Sequence, residues 1–129
     1  MQLLTSLECA DVAVSVLSMS KYKLEKVIEN EIRKALSDIG VLVWKNNTDN
    51  RNLHSGLGIG CPDLVCVVPP FGRLLLIEVK SQRPGSKVTE EQTRWMNTAA
   101  LYGAYCGVAR SVEEALELVR LAKNLIPYG

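Results

Sequence analysis

Apolar residues recur every three or four positions between Lys21 and Gly40. This spacing places them on one face of an α-helix. Ser20 is a typical N-cap residue, and Gly40 is a typical stop signal at a helix C-terminus. The pattern predicts a helix over residues 21–40 whose apolar stripe contains Leu24, Val27, Ile28, Ile32, Ala35, Leu36 and Ile39.

Short apolar segments in the middle of the chain predict three β-strands. Val41–Trp44 predicts a short strand, and two longer apolar runs on either side of "PPFG" (residues 69–72) predict a hairpin. Between the first strand and the hairpin lies "NNTDNRNLHSGLGIG" (residues 46–60), whose Asn and Gly content predicts a loop. A second loop is predicted at "SQRPGSK", residues 81–87.

Two capping boxes mark the helices of the C-terminal part. Thr89 precedes Gln92 by three positions, and Ser111 precedes Glu114 by the same spacing. The resulting order α-β-β-β-α-β-α predicts a mixed α/β sandwich. Its last three elements are a helix from Thr89 to about Tyr102, a strand over Ala104–Arg110 and a helix from Ser111 to about Leu125.

Length and composition limit the architecture. A chain of 129 residues with 47% hydrophobic residues suits one compact domain, predicted over residues 21–129. Residues 1–20 are apolar but interrupted by Glu8 and Asp11, which indicates a packing or subunit-contact segment rather than a membrane span or signal peptide. The net charge of +1 excludes a polybasic protein, so contacts to nucleic acid must come from local patches.

The cysteines favour a reducing, cytoplasmic setting. The chain has four cysteines, no CxxC pair and a single histidine, His54, which argues against a structural zinc site. Cys61 and Cys66 are predicted in one strand with side chains on opposite faces, so they cannot bridge each other. We therefore expect reduced thiols.

Charged residues within the apolar hairpin are the strongest chemical signal. If residues 69–72 form a four-residue turn, each cross-strand pair sums to 141 in residue number, and Asp63 lies opposite Glu78. Lys80 shares their face because it lies two residues beyond Glu78. Facing carboxylates need a shared proton or a cation. Mg²⁺ prefers such oxygen ligands, together with water and phosphate oxygens.

A purely structural origin for each of these charges is the alternative. Asp63 follows a proline and suits a turn at the start of a strand, while Glu78 and Lys80 suit a solvated edge strand. The flanking apolar runs instead indicate strands that are buried on both faces. Charged residues at the ends of such strands favour a functional site.

The hairpin resembles a known nuclease signature. The "PD" of "GCPDLV", followed after fourteen residues by the "EVK" of "LIEVK", is similar to the PD-(D/E)xK motif. The "QxxW" of Gln92–Trp95, Gly103 and the strand that follows narrow the resemblance to the VRR-NUC family, the virus-type replication-repair nucleases. The resemblance extends over roughly residues 23–118.

The resemblance implies a restriction-endonuclease-like αβββαβ core, with a mixed central sheet flanked by helices, and metal-dependent cleavage of DNA. It implies that Asp63, Glu78 and the Val79 carbonyl hold Mg²⁺ or Mn²⁺ and that Lys80 is the motif lysine. Gln92 matches a glutamine common in the helix after the motif. The chain resembles the stand-alone phage members, which are small homodimers that act on branched DNA, including Holliday junctions. This resemblance would place the chain in the bacterial host cytoplasm.

The resemblance also implies an acidic residue on the first helix. Glu25 fits the family pattern, and on a helical wheel it lies roughly 60° from a stripe centred near Ile28 and Ile39. Glu29 lies roughly 100° from that centre, on the predicted solvent side. We therefore expect Glu25 to serve the site, either as a direct metal ligand or through water, and an ordinary flanking charge is the alternative.

Several other side chains have two interpretations. Gln92 is explained equally well as the third residue of the Thr89 capping box. Trp95 and Met96 are predicted in the core, and His54 has no predicted role. Charged or aromatic residues that flank the site could bind DNA phosphates or simply be solvated: Tyr22, Lys45, Arg51, Arg83 and Lys87.

The sequence thus predicts an Mg²⁺- or Mn²⁺-dependent, structure-selective endonuclease of viral replication or DNA repair. A nickase or flap nuclease of the same superfamily is the nearest alternative. A catalytically silent DNA-binding or assembly module is the alternative from another class, although all the motif residues are present.

Overall fold

The computed structural model describes residues 22–46 and 59–124. Within these ranges the chain forms the predicted order α-β-β-β-α-β-α, which confirms the mixed α/β fold. The elements are α1 (Glu25–Asp38), β1 (Leu42–Lys45), β2 (Leu64–Val68), β3 (Arg73–Val79), α2 (Glu90–Leu101), β4 (Tyr105–Ala109) and α3 (Val112–Asn124).

The four strands form one sheet in the order β1-β2-β3-β4. The β1–β2 and β2–β3 pairs are antiparallel, whereas the β3–β4 pair is parallel. The hairpin register runs from Val68 opposite Arg73 to Leu64 opposite Ile77, so the predicted pairing is confirmed. The paired residues end at Leu64, which leaves Asp63 one position beyond the ladder and beside Glu78.

One face of the sheet carries the hydrophobic core. Alternate residues of β2 and β3 point to this face, where α1 and α3 cover them. The cluster is built mainly from Ile28, Ile32 and Leu36 of α1, Leu64, Cys66 and Val68 of β2, Leu75, Ile77 and Val79 of β3, and Ala115, Val119 and Ala122 of α3.

The opposite face is covered less completely, because α2 packs mainly beside β4. α2 contains no fully buried residue, so the prediction that Trp95 and Met96 lie in the core is wrong; both are half-buried. A groove of about 660 Å³ separates α2 from β3 and is lined by Ile59, Leu74, Leu76, Trp95, Ala99 and Tyr102, among others.

The first helix ends as the sequence predicts but does not begin there. Gly40 adopts φ 86° after the helix, and two hydrogen bonds close the end, from Gly40 to Ser37 and from Val41 to Leu36. This pattern is a Schellman motif. The N-cap is Leu24, which makes no side-chain cap, so the prediction of Ser20 as the cap is wrong. Ser20 itself lies outside the described residues.

The other predicted boundaries hold to within a few residues. β1 is shifted by one residue, and Cys61 precedes β2 rather than sharing its strand with Cys66. At α3, the Ser111 hydroxyl accepts from the Glu114 amide as predicted. The Glu114 carboxylate accepts from Arg110, one residue before the expected partner.

The three described cysteines, Cys61, Cys66 and Cys106, are free thiols, and Cys9 lies outside the described residues. No helix in the described ranges is both long and apolar enough to cross a membrane.

Gly60 brings the segment before β2 against the start of α2. Its φ is 87°, and a Cβ at this position would lie 2.8 Å from the carbonyl carbon and oxygen of Glu91. Glycine is therefore required twice, by the backbone conformation and by the close approach of two main chains. This contact fixes α2 relative to the Pro62–Asp63 segment.

We expect Gly60→Ala to lower the free energy of unfolding by about 2–4 kcal/mol, because left-handed strain and a main-chain clash add. Gly85→Ala is the matched control, since Gly85 has φ 91° but a Cβ there would meet no atom of the described residues within 4 Å. That variant should lose only about 1 kcal/mol. Chemical denaturation measures both values, and equal losses would contradict the packing role of Gly60.

Candidate functional site

Glu78 is a carboxylate in the interior of the protein. It lies on β3 with 2% of its surface exposed. The Gln92 side-chain amide donates to Glu78 Oε1 at 2.8 Å, and Lys80 Nζ lies 3.8 Å from the same oxygen. Among the described residues, no donor reaches Glu78 Oε2. A buried, half-satisfied carboxylate is costly, which is typical of a residue that is retained for its chemistry.

Asp63 lies where the hairpin ladder ends. Its Oδ2 accepts a hydrogen bond of 2.8 Å from the amide of Val79, and its main-chain oxygen accepts one of 2.8 Å from the amide of Asn46. The residue is thus held between the ends of β1 and β3. The predicted juxtaposition of Asp63 and Glu78 is present.

The two carboxyl groups interact strongly. The pKa of Glu78 is raised from 4.5 to about 8. Burial is the largest cause, followed by the negative charge of Asp63 and a hydrogen bond between the two groups. The Lys80 ammonium opposes the rise, and the charge of Glu25 adds to it. The pair therefore holds a proton at neutral pH, and a bound cation would take the place of this proton.

Gln92 caps α2 as predicted and also contacts the candidate site. Its side-chain oxygen accepts from the main-chain amide of Thr89 at 2.8 Å, and the main-chain amide of Gln92 donates to Thr89 Oγ1 at 3.1 Å. The side-chain nitrogen remains available and donates to Glu78. One amide group therefore caps α2 and orients the Glu78 carboxylate.

Lys80 extends β3 by one residue toward the site. Its amide donates to the carbonyl of Ala109 at 3.1 Å, which continues the pairing with β4. Only 8% of its surface is exposed, and its ammonium lies beside Glu78. Burial limits the conformations of this flexible side chain, so its charge has a defined place next to the two carboxylates.

The first helix presents its acids differently from the wheel prediction. The buried residues of α1 are Ile28, Glu29, Ile32 and Leu36, so the buried face is centred about 50° away from the predicted stripe. Glu29 is only 6% exposed, and its prediction as a solvent-side residue is wrong. Glu25 lies near the angular centre of this face, exposed in the first turn, and its charge acts on Glu78.

The candidate DNA-binding residues lie in different surroundings. Lys45 forms an ion pair of 3.2 Å with Glu29, which gives it a structural role as counter-ion to a buried carboxylate. Arg83 and Lys87 are exposed in the loop between β3 and α2. Tyr22 is half-buried ahead of α1. Arg51 and His54 lie outside the described residues.

Cys61 is a neighbour of the site that the sequence did not single out. Burial raises the pKa of its thiol to about 11, and the negative charges of Glu78 and Asp63 contribute. The Asn46 side chain donates to its sulfur. The thiol is therefore protonated in the metal-free protein. Its position two residues before Asp63 places it beside the site.

The donor set suits a hard divalent cation that keeps some of its water. The two carboxylates supply oxygen, and apart from the proton that they share, no donor of the described residues occupies Glu78 Oε2. No three His, Cys, Asp or Glu side chains of the described residues converge to hold a metal by themselves. Mg²⁺ and Mn²⁺ can instead be held by one or two carboxylates, a carbonyl such as that of Val79, water and substrate phosphate. In this arrangement Glu25 would act through water.

Comparisons with known proteins identify the family and the fold. The model of the VRR-NUC domain family matches residues 5–113. A solved structure described as a VRR-NUC domain is similar to this chain, with a TM-score of 0.57 and 24% identity. The likeness covers 74% of this chain and 94% of that chain, and it concerns the fold. No curated protein matches.

Glu78→Gln should make the free energy of unfolding less dependent on pH. Glu78 has a pKa near 8 in the folded protein and near 4.5 when unfolded, so folding takes up a proton between these values. Stability supplied by this group is fully present below about pH 4.5, is lost progressively as pH rises, and is gone above about pH 8. The variant should exceed wild type by on the order of 2–4 kcal/mol at pH 9, and by much less at pH 5.

Denaturation in a chelating buffer at pH 5, 7 and 9 measures this difference. Glu90→Gln, which removes an exposed carboxylate at the start of α2, controls for the loss of one negative charge. If Glu78→Gln differed from wild type equally at pH 5 and pH 9, the raised pKa of Glu78 would be disproved.

Proposed function

The chain belongs to the VRR-NUC family of nucleases, and from this premise we propose that it is a divalent-metal-dependent endonuclease that hydrolyses phosphodiester bonds in branched DNA. The observation that carries the proposal is the buried Glu78 carboxylate beside Asp63, with Lys80 alongside and one oxygen that no donor of the described residues reaches.

Each polar group has a role in the proposed site. Asp63, Glu78 and the Val79 carbonyl would hold Mg²⁺ or Mn²⁺, with Glu25 reaching the ion through water. When bound, the ion would polarise the scissile phosphate and lower the pKa of a water molecule. Gln92 keeps the Glu78 carboxylate in one orientation through its 2.8 Å hydrogen bond. The amide of Val79 does the same for Asp63.

Lys80 is the proposed partner of the attacking water and of the phosphate. Its ammonium is nearly buried and lies on the same face as the carboxylates, so its charge acts in a region of low dielectric. It would orient the nucleophile and stabilise the negative charge that develops on the phosphate. Hydrolysis of this class leaves a 5′-phosphate and a 3′-hydroxyl, as the resemblance to the PD-(D/E)xK nucleases implies.

Contacts to the DNA backbone would come from residues around this face. Arg83 and Lys87 lie on the exposed loop that follows Lys80, which supports a role in binding phosphates. Lys45 is a weaker candidate, since its ammonium already pairs with Glu29. With a net charge of only +1, the affinity for DNA would depend on these few cations.

A four-way junction, a flap, a nicked duplex and a linear duplex, each incubated with Mg²⁺ or Mn²⁺, test the proposed activity. We expect cleavage of the branched substrates and a loss of at least about 100-fold in Asp63→Asn, Glu78→Gln and Lys80→Met. Cutting at the wild-type rate by these variants would contradict the site.

Metal titration of the same variants distinguishes the proposed enzyme from a catalytically silent module. Calorimetry with Mn²⁺ should give heat that disappears in Asp63→Asn, whereas a silent module should give none that depends on Asp63. Gln92→Glu is the matched variant for orientation, since glutamate at this position still caps α2 but cannot donate to Glu78. It should lose activity, and because it adds a carboxylate next to the buried Glu78 it should also lower the stability of the metal-free protein.

The proposed assembly is a homodimer, which would present two sites to opposed strands of one junction. Leu42 and Trp44 of β1 support an interface, because they are 63% and 44% exposed on the less covered face of the sheet. The proposed contact segment, residues 1–20, lies outside the described residues, and α3 is the other candidate.

Sedimentation at micromolar concentration should therefore give the mass of two chains. Leu42→Ser with Trp44→Ser should shift the equilibrium toward monomer if β1 lies in the interface. A wild-type protein that sediments only as a monomer would contradict the dimer.

A further inference from the structure

The segment that follows Lys80 has no regular secondary structure, yet it is tied to one residue at the end of β4. Residues 81–86 form the first part of the connection from β3 to α2 and include Arg83. Arg110, the residue directly after β4, contacts this segment through both its side chain and its main chain.

Three hydrogen bonds form the connection. The Arg110 guanidinium donates to the carbonyl of Ser81 and, through its other terminal nitrogen, to the carbonyl of Ser86 at 2.8 Å. The Arg110 carbonyl accepts from the Gln82 side chain at 3.1 Å. One arginine thus joins both ends of a six-residue segment, and we call this arrangement the Arg110 clamp.

The clamp has its own support. The amide of Arg110 donates to the carboxylate of Glu114 in the first turn of α3, and the carbonyl of the preceding residue, Ala109, accepts from Lys80. Arg110 is therefore fixed to α3 on one side and to the strand of the candidate site on the other. Ser81 is one peptide unit from Lys80, so the clamp restrains the main chain directly beside the motif lysine.

The geometry requires an arginine, and a lysine of the same charge would not replace it. A guanidinium has a planar fork of donors that can reach two carbonyls at once, whereas an ammonium is a compact point charge on a flexible stem. Loop carbonyls that lose such a donor turn to water, which costs little for a surface segment but releases its conformation. The clamp therefore acts on the position of the loop more than on global stability.

We infer that Arg110 is a positioning residue of the nuclease, which holds residues 81–86 so that Arg83 meets the DNA backbone at a fixed place beside Lys80 and Glu78. The inference rests on the proposed function, in which Arg83 contacts phosphate. Arg110 itself is half-buried, and its guanidinium already donates to main-chain carbonyls. It therefore acts through the loop rather than on the substrate.

Hydrogen exchange tests the clamp without relying on activity. The amides of Arg83 and Ser86 bond within the segment, to Ser81 Oγ at 3.3 Å and to the Arg83 carbonyl at 3.0 Å. In Arg110→Gln both amides should exchange at least about tenfold faster than in wild type, while β2 and β3 are unchanged. Arg110→Lys should behave like Arg110→Gln, because the single nitrogen of an ammonium cannot reach the two carbonyls that the guanidinium fork spans.

Arg120→Gln is the matched control, since Arg120 lies on α3 in an exposed pair with Glu117 and has no contact to the loop among the described residues. It should leave the exchange of the loop and the cleavage rate unchanged. Gln82→Ala removes one bond of the clamp from the loop side and should give a smaller increase in exchange. Gln82→Ala therefore tests the clamp even if Arg110→Gln fails to fold.

A double-mutant cycle with Arg83→Ala tests the functional link. In the wild-type background Arg83→Ala should raise KM by about three- to tenfold through the loss of a phosphate contact, with little change in kcat. In the Arg110→Gln background, or in the Gln82→Ala background if Arg110→Gln does not fold, the same change should cost less than about twofold, because the loop no longer presents Arg83.

The outcomes separate the two proposals. Additive effects of Arg83→Ala and the clamp variant, in an active enzyme, would overturn the positioning role and leave the nuclease proposal intact. Unchanged exchange of residues 81–86 in Arg110→Gln would overturn the clamp as well. A wild-type protein that cuts no DNA on any substrate would overturn the proposed function itself, even where the exchange data follow the clamp.

Discussion

The candidate site depends on one interaction, the burial of the Glu78 carboxylate next to that of Asp63. Only one oxygen of Glu78 has a donor among the described residues, and burial with a neighbouring charge raises its pKa to about 8. A core built for stability alone would place an apolar residue at this position of β3. The surrounding elements make the arrangement tolerable: Gln92 donates to one oxygen, Lys80 brings a positive charge, and the Val79 amide holds Asp63.

The division of the sheet into two faces explains why the carboxylate can be there. α1 and α3 cover one face with apolar side chains, and that face carries the core. The opposite face is covered mainly by α2, whose first turn brings Gln92 to the site. Because Gln92 also completes the capping box, the start of α2 and the orientation of Glu78 are set by the same side chain. Gly60 adds to this coupling by letting the Asp63 segment approach the main chain of α2.

Much of the fold and part of the site could be predicted from the sequence. Local signals were sufficient for the Thr89–Gln92 box, the Gly40 helix stop and the hairpin register, because each depends on a few neighbouring residues. The predictions failed where a distant segment decided the outcome. Glu29 is buried because Lys45, sixteen positions away, supplies its counter-ion. Trp95 borders a groove rather than the core, because no element described here covers that side of α2.

The sequence by itself determined the order of the elements, the pairing of Asp63 with Glu78 across the hairpin and the shared face of Lys80. These features follow from periodicity and turn length, which are local properties of the chain. Only the tertiary structure decided that Gln92 reaches Glu78 while it caps α2, that Glu29 is paired inside the protein, and that Arg110 joins the ends of the loop after Lys80. These contacts link residues 14 to 29 positions apart, and the packing of whole helices and strands sets their distances.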